Sequence, residues 1–427
     1  MRRHLLALIA LLALIAAACG DDDTADDRTP DDGEVTDTTG AADDESGEGA
    51  EPTSFAERGP HLVGQIDLET PDGVRMAVFY PAAAEVPEDA EPYSYSGEDV
   101  LDPAIAAVLP DALAGESAPE DTWVEVPASD DGPFPLVLHS HGFSANSRFG
   151  NQHHAAVASW GFVVASVDHP ERGLAAVLGA FLGGGSEGSD DERLDTTQLL
   201  SALDHLSDAA ALAGTPLEGI VDAGRVAVEG HSAGGSASGT AAFDERVSLW
   251  IGQAPAAPLP LEGDLEPYRV GEGGRLDTVA LLGDTEPFAA ESLIIAAEGD
   301  QAITLDAVER IYGWLAAPKR LAVIAGSGHS VFVDPCAPIR ESGGLSAFVE
   351  GLGLDPAEVP VVRLGEDGCL PEHTDPEVVW GLIDHLTVAQ LRLTFGIEPE
   401  EAEASLDPAF LDDAFPGLLL RLDADGG

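Results

Sequence analysis

Ser232 stands between two glycines in the run Arg225–Gly239, RVAVEGHSAGGSASG. Gly230-His231-Ser232-Ala233-Gly234 matches the pattern G-x-S-x-G. Strand-forming residues precede it and small, helix-permissive residues follow. At such a strand-to-helix corner a serine hydroxyl is held out for attack, and the flanking glycines remove side chains that would clash. The helix that follows points N–H groups and its positive dipole end at a developing oxyanion. A hydroxyl also needs a general base, and the base needs an acid to orient it.

Where a nucleophile sits on a corner of this kind, the chain order is Ser, then Asp or Glu, then His. The histidines after Ser232 are His329, His373 and His385. His329 lies in IAGSGHS, a Gly-Ser loop directly after an apolar run, and is the candidate base. His385 falls within a helical pattern and His373 beside a cysteine-bearing irregular stretch. For the acid, Asp300 ends SLIIAAEGD at the edge of the preceding strand-like run, with Asp284 and Glu298 as rivals. Two N–H donors are needed for the oxyanion. Ala233, next to the nucleophile, supplies one, and Phe143, in the loop His139-Ser140-His141-Gly142-Phe143, is the candidate for the other. His139, His141, His153 and His154 have no carboxylate or cysteine at ligand spacing, so no metal is assigned to them.

The elements that must carry these residues are short apolar runs ending in Gly, Asp or His. They are VRMAVFYP, PLVLHSHG, GFVVASVDH, RVAVEGHS, VSLWIGQAP, SLIIAAEGD and RLAVIAGSGH. Such runs read as strands buried on both faces of a parallel sheet. Helical patterns alternate with them, around 152–160, 191–213, 234–243, 305–317 and 376–394, and a short helix is expected near 103–109. Alternation of this kind predicts a doubly wound α/β domain with helices on both faces. Two insertions interrupt it, a Gly-rich one at about 173–191 and an irregular one at about 334–372.

The chain has 427 residues, 78 acidic against 19 basic, and a formal charge of −59. Phosphate binding needs clustered cations, which argues against a nucleic-acid partner; the chain has one lysine, Lys319. MRRHLLALIALLALIAAAC, residues 1–19, has a basic start, an apolar stretch and a small-residue cleavage site, the pattern of an export signal. Its final Cys19 resembles the cysteine of a bacterial lipobox, although Ala16 stands where that motif usually has Leu. Lipidation of Cys19 would anchor the chain to a membrane, and ordinary cleavage would leave it secreted. Residues 20–58 are acidic and almost free of apolar side chains, so they read as a disordered linker, or stalk, before a catalytic domain at 59–427. In an oxidising compartment the two remaining cysteines, Cys336 and Cys369, are expected to form a disulfide.

PLVLHSHGF, FVVASVDHPERG and DAGRVAVEGHSAGG together resemble the α/β-hydrolase group of platelet-activating factor acetylhydrolases and dienelactone hydrolase-like proteins. The resemblance covers roughly residues 60–333 and more loosely the helix near 376–395. It implies the α/β-hydrolase fold, a triad of Ser232, Asp300 and His329, and oxyanion donors at Phe143 and Ala233. It implies no cofactor. Animal acetylhydrolases carry their acid soon after the strand that follows the nucleophile, where this chain reads WIGQAPAAP without a carboxylate. The later Asp300 matches the position used by dienelactone hydrolases and cutinase-like polyester hydrolases. Gln253-Ala254-Pro255 also echoes the polyester hydrolases, but Ala256 replaces their substrate-stacking tryptophan. Dienelactone hydrolases proper use a cysteine nucleophile, so Ser232 separates this chain from them. The resulting expectation is an exported serine ester hydrolase acting on small-molecule or lipid esters. The alternatives are a cell-envelope acyltransferase with the same triad and a non-catalytic binding lipoprotein.

Overall fold

The apolar runs read from the sequence form strands, and successive side chains enter opposite cores. In the strand Phe134–Ser140, Leu136 and Leu138 join one hydrophobic cluster, while Val137 joins another. Val226 and Val228 face the first cluster and Ala227 the second; Leu321 and Val323 are likewise opposed to Ala322 and Ile324. A strand can be apolar at every position only if both sheet faces are covered, which requires helices on both sides.

The computed structural model describes residues 50–96, 99, 117–174, 176–177, 191–270, 275–351 and 355–426. The export signal with Cys19, linker residues 20–49, the helix expected near 103–109 and residues 178–190 of the Gly-rich insertion lie outside them.

In chain order the first half comprises β1 (Leu62–Glu69), β2 (Arg75–Ala82), β3 (Thr122–Val124), β4 (Phe134–Ser140), α1 (Asn151–Ser159), β5 (Val163–Val167), α2 (Leu194–Ser207), β6 (Val221–His231), α3 (Ala233–Ala241) and β7 (Val247–Gln253). Then follow β8 (Arg269–Val270), β9 (Arg275–Leu276), α4 (Thr278–Asp284), β10 (Glu291–Ala297), α5 (Leu305–Trp314) and β11 (Lys319–Ile324). The last part holds α6 (Cys336–Glu341), α7 (Ser346–Gly351), α8 (Pro360–Glu366), α9 (Pro376–Thr394), α10 (Pro399–Ser405), α11 (Pro408–Ala414) and β12 (Leu419–Asp425).

Among the described residues, ten strands form one sheet in the order β12-β11-β10-β7-β6-β4-β5-β2-β1-β3. From β5 to β11 the strands run parallel, and β2 and β12 flank that run antiparallel. This is the α/β-hydrolase architecture anticipated from the sequence. The parallel run brings the C-terminal ends of β4, β6, β10 and β11 to one edge, where ligands bind in open α/β sheets. β8 and β9 form a separate antiparallel pair.

Two stretches differ from the sequence expectation. The insertion at 334–372, expected to be irregular, contains the helices α6, α7 and α8. Cys336 and Cys369 are joined by a disulfide across a separation of 33 residues. On chain-entropy grounds a loop of that length is stabilised by about 3–4 kcal/mol. Residues 52–58, expected to belong to the linker, are part of the compact unit that starts at Pro52. Phe55 is fully buried, edge-on to Trp160 with ring centroids 4.8 Å apart and stacked on His385 at 5.6 Å. Its N–H donates to His385 Nδ1 (3.0 Å), and Thr53 N–H donates to Ser405 Oγ (2.8 Å). The guanidinium of Arg392 lies 5.2 Å from the Phe55 ring centre. One large aromatic side chain therefore holds this short polar segment to the C-terminal helices.

Replacing Phe55 with Ala should lower unfolding stability by about 3–5 kcal/mol, through lost burial and the cavity left behind. Urea melts of the two proteins measure this, and equal midpoints would show that the segment is not part of the cooperative unit.

Candidate active site

Ser232, directly before α3, has a conformation that L-residues rarely adopt, φ 56° and ψ −117°. Such a turn persists only when its surroundings over-determine it. Ser232 N–H donates to the Gln253 carbonyl (3.0 Å), and its own carbonyl accepts from Gly235 and Ala256 (both 2.9 Å). The glycines are required because backbone approaches backbone. A Cβ at Gly230 would lie 2.2 Å from the Gly234 oxygen, and one at Gly234 would lie 1.9 Å from the Ser140 oxygen. β6 and α3 are thereby pressed against the end of β4.

The two remaining triad candidates come from neighbouring strand ends. His329 follows β11 on a short 3-10 turn, and Asp300 follows β10. His329 Nε2 lies 2.9 Å from Ser232 Oγ, and His329 Nδ1 lies 2.8 Å from Asp300 Oδ2. Asp300 Oδ1 accepts the N–H groups of Ala302 (2.8 Å) and Ile303 (2.7 Å), which fixes the carboxylate plane. All three residues are buried. The rivals lie elsewhere. Glu298 accepts Gly326 N–H, Asp284 ends α4, and His385 bonds Phe55 and Ser405. Asp300 Oδ2 is placed to accept from Nδ1–H, which leaves Nε2 facing the hydroxyl.

Ala233 is the first residue of α3, so its N–H has no intrahelical acceptor. Gly142 packs against the nucleophile: a Cβ there would lie 3.4 Å from Ser232 Cβ and 3.0 Å from His231 Nδ1. Phe143 follows directly, with a side chain 49% exposed. Its loop is held by a buried polar chain that sequence reasoning missed. His169 N–H donates to His141 Nε2 (3.0 Å), so His141 Nδ1 donates to the Gly142 carbonyl (2.8 Å). Arg172 donates to Ser140 Oγ (2.8 Å), which pairs with His169 Nε2 (2.9 Å). Burial, reinforced by the Arg172 charge, holds the pKa of His141 and of His169 well below normal, so both are neutral. His231, whose Nε2 donates to the His329 carbonyl (2.9 Å), braces the base from beneath.

A second buried group lies three residues before the nucleophile. Glu229 Oε1 accepts from Gln253 (2.8 Å) and from His153 Nε2 (3.1 Å), and His153 Nδ1 pairs with Asp384 (2.5 Å). Burial pulls the His153 pKa down, but the Glu229 charge and bonds to both carboxylates outweigh it and push it up to about 10. Asp334, just past the base loop, bonds Phe149 O through its N–H (2.8 Å), and its carboxylate accepts Gln152 N–H (3.3 Å). Burial pushes its pKa up to about 8. Single residues of this type carry no sequence signal, since only the fold gathers them. His139 pairs with Ser166 (3.1 Å) and packs edge-on to His154.

Residues 52–193 match the family model of platelet-activating factor acetylhydrolase, isoform II. The matched stretch contains β1 to β5 and the loop with Phe143. Ser232, Asp300 and His329 lie beyond it, so their grouping is known from the fold and not from the match. No curated protein matches the chain. The match supports the resemblance read from the sequence and, in general terms, a serine ester hydrolase.

Gly234→Ala should reduce turnover by about 100-fold or more, because displacing Ser140 misplaces the site by an ångström or so. Turnover equal to wild type would refute the close packing. Asp334 has a folded pKa above its unfolded one, so stability is lost as pH rises from about 4 to 8, with a limiting slope of about 1.4 kcal/mol per unit. Asp334→Asn should flatten that decline in urea melts at stepped pH; an unchanged slope would show that another group titrates there.

Proposed function

We propose that this chain is an exported carboxylic ester hydrolase working through Ser232, His329 and Asp300 and an acyl-enzyme. The observation that carries the reading is the continuous path Asp300–His329–Ser232, at 2.8 and 2.9 Å, ending on a serine at φ 56°. His329 Nε2 takes the Ser232 proton as Oγ attacks the ester carbonyl carbon. The carbonyl oxygen becomes an oxyanion, with the N–H groups of Ala233 and Phe143 as its donors. His329 then returns the proton to the leaving alcohol as the C–O bond breaks. Water attacks the acyl-serine with His329 again as base, and as the carbonyl–Oγ bond breaks His329 returns the proton to Ser232 and the carboxylic acid leaves. Asp300 stabilises the imidazolium through Nδ1–H in both halves.

The substrate class is a small-molecule or lipid ester, and the half-exposed ring of Phe143 offers an apolar contact beside the proposed oxyanion donors. Residues 1–19 support export. With lipid on Cys19, the acidic residues up to about 51 would act as a stalk holding the catalytic unit off a membrane. Mass spectrometry of the mature N-terminus tests this arm.

Ser232→Ala should lower hydrolysis of p-nitrophenyl esters by roughly 10⁴-fold or more and abolish labelling by a fluorophosphonate probe. Retained turnover would dismiss the mechanism. An ester product with an added acceptor alcohol, in preference to free acid, would identify an acyltransferase instead.

A further inference from the structure

The insertion between β11 and α9 returns, at its end, to the residues that precede and follow the proposed base. Gly328 and Gly368 meet backbone to backbone. A Cβ at Gly328 would lie 2.4 Å from Asp367 Oδ1 and 2.5 Å from Gly368 N. A Cβ at Gly368 would lie 2.7 Å from Gly328, and Gly368 itself has φ +92°. The Asp367 carbonyl accepts Ser330 N–H (2.7 Å), and Asp367 Oδ2 accepts Gln301 N–H (2.9 Å). Ser330 Oγ donates to the Leu364 carbonyl (2.7 Å).

Asp367 therefore grips the residue after the acid and the residue after the base. Burial raises its pKa, and the Gln301 N–H offsets part of that; the Asp300 charge adds to the rise, while the His329 ring and N–H oppose it. Two residues further on, Cys369 is tied to Cys336, which starts α6 seven residues after His329. Arg340, within α6, donates to the Leu370 carbonyl (2.7 Å) and the His373 carbonyl (3.1 Å), closing the same ring.

We infer that Asp367 is a positioning residue for the Asp300–His329 pair, held in place by the Cys336–Cys369 staple and the Gly328–Gly368 contact. The inference rests on the triad reading above. Its mechanism is geometric. The distance from acid to base is set by two loops on adjacent strands, and one side chain and one carbonyl of Asp367 bind both loops. Releasing either loop lets the imidazole drift from the hydroxyl while the substrate surface stays intact.

The test uses the full-length protein with Asp367→Ala, Asp367→Asn and the double variant Cys336→Ser/Cys369→Ser. Asp367→Ala should lower kcat for a p-nitrophenyl ester by about 10–100-fold, with KM nearly unchanged and the fluorophosphonate labelling rate falling in parallel. Asp367→Asn keeps an oxygen for Gln301 N–H and should recover kcat to within roughly threefold of wild type. Wild-type kcat in Asp367→Ala would overturn the inference. So would a raised KM at constant kcat, or equal losses of kcat and melting temperature in the Ala and Asn variants. If Asp367→Ala fails to fold, the double serine variant decides: a kcat loss at constant KM supports the clamp, and wild-type kcat removes it. Ser232→Ala, assayed alongside, separates the layers, since turnover surviving there would overturn the triad reading and the clamp with it.

Discussion

The local backbone at Ser232 is the constraint from which the rest of the site follows. A positive φ in a serine costs about 1–3 kcal/mol, and main-chain hydrogen bonds to the end of β7, to Ala256 just beyond it and to α3 hold it there. The same turn forces glycine at positions 230 and 234, because Gly230 lies against the Gly234 backbone and Gly234 against the end of β4 at distances no Cβ permits. Once β4, β6 and α3 are locked in this way, the loop with Phe143 and the Ser232 hydroxyl share one rigid support. The imidazole then needs only to arrive from the opposite side, on a loop that β11 aims at the same sheet edge.

Buried charge is distributed around that support with a clear division. The histidines that shape the loop with Phe143, His141 and His169, are neutral because burial and Arg172 keep protons off them, so each can donate from one nitrogen and accept at the other. His153, in contrast, lies between Glu229 and Asp384 and carries its proton. A neutral imidazole fixes direction through its tautomer, while a charged one balances carboxylates that could not otherwise be buried. Both kinds flank the nucleophile, one on the β4 side and one behind β6.

The sequence made the strand ends and their chemistry legible. Apolar runs closed by Gly, Asp or His put Ser232, Asp300 and His329 at strand ends, and the sheet brings them within hydrogen-bond reach. Other features left no local trace. β12, LLRLDAD, mixes an arginine and two acids with its leucines on an edge that is only half covered, so it lacks the continuous apolar run that marks the inner strands. Residues 52–58 look like linker because their composition is polar, and only the pocket formed by Trp160, His385 and Arg392 gives Phe55 its role. Asp367 is an ordinary acid in an acidic chain until Gly328 and Gly368 bring it to the base loop. Composition and periodicity report local and average properties, whereas these contacts join residues tens to hundreds of positions apart.

The charge balance acquires a structural meaning once the cations are located. Arg75, Arg148, Arg172, Arg225, Arg246, Arg392 and Arg421 are each paired with a carboxylate of the same unit. Lys319 donates to the Tyr312 and Leu315 carbonyls. Scarce cations used in this way stitch elements together, and the large acid excess remains as a net negative field. Such a field keeps the domain soluble and opposes the approach of anionic surfaces and anionic esters, an effect that salt weakens within a Debye length of about 8–10 Å. A neutral ester meets no such barrier. That field acts at the surface, whereas the Asp300–His329–Ser232 path is buried beneath it.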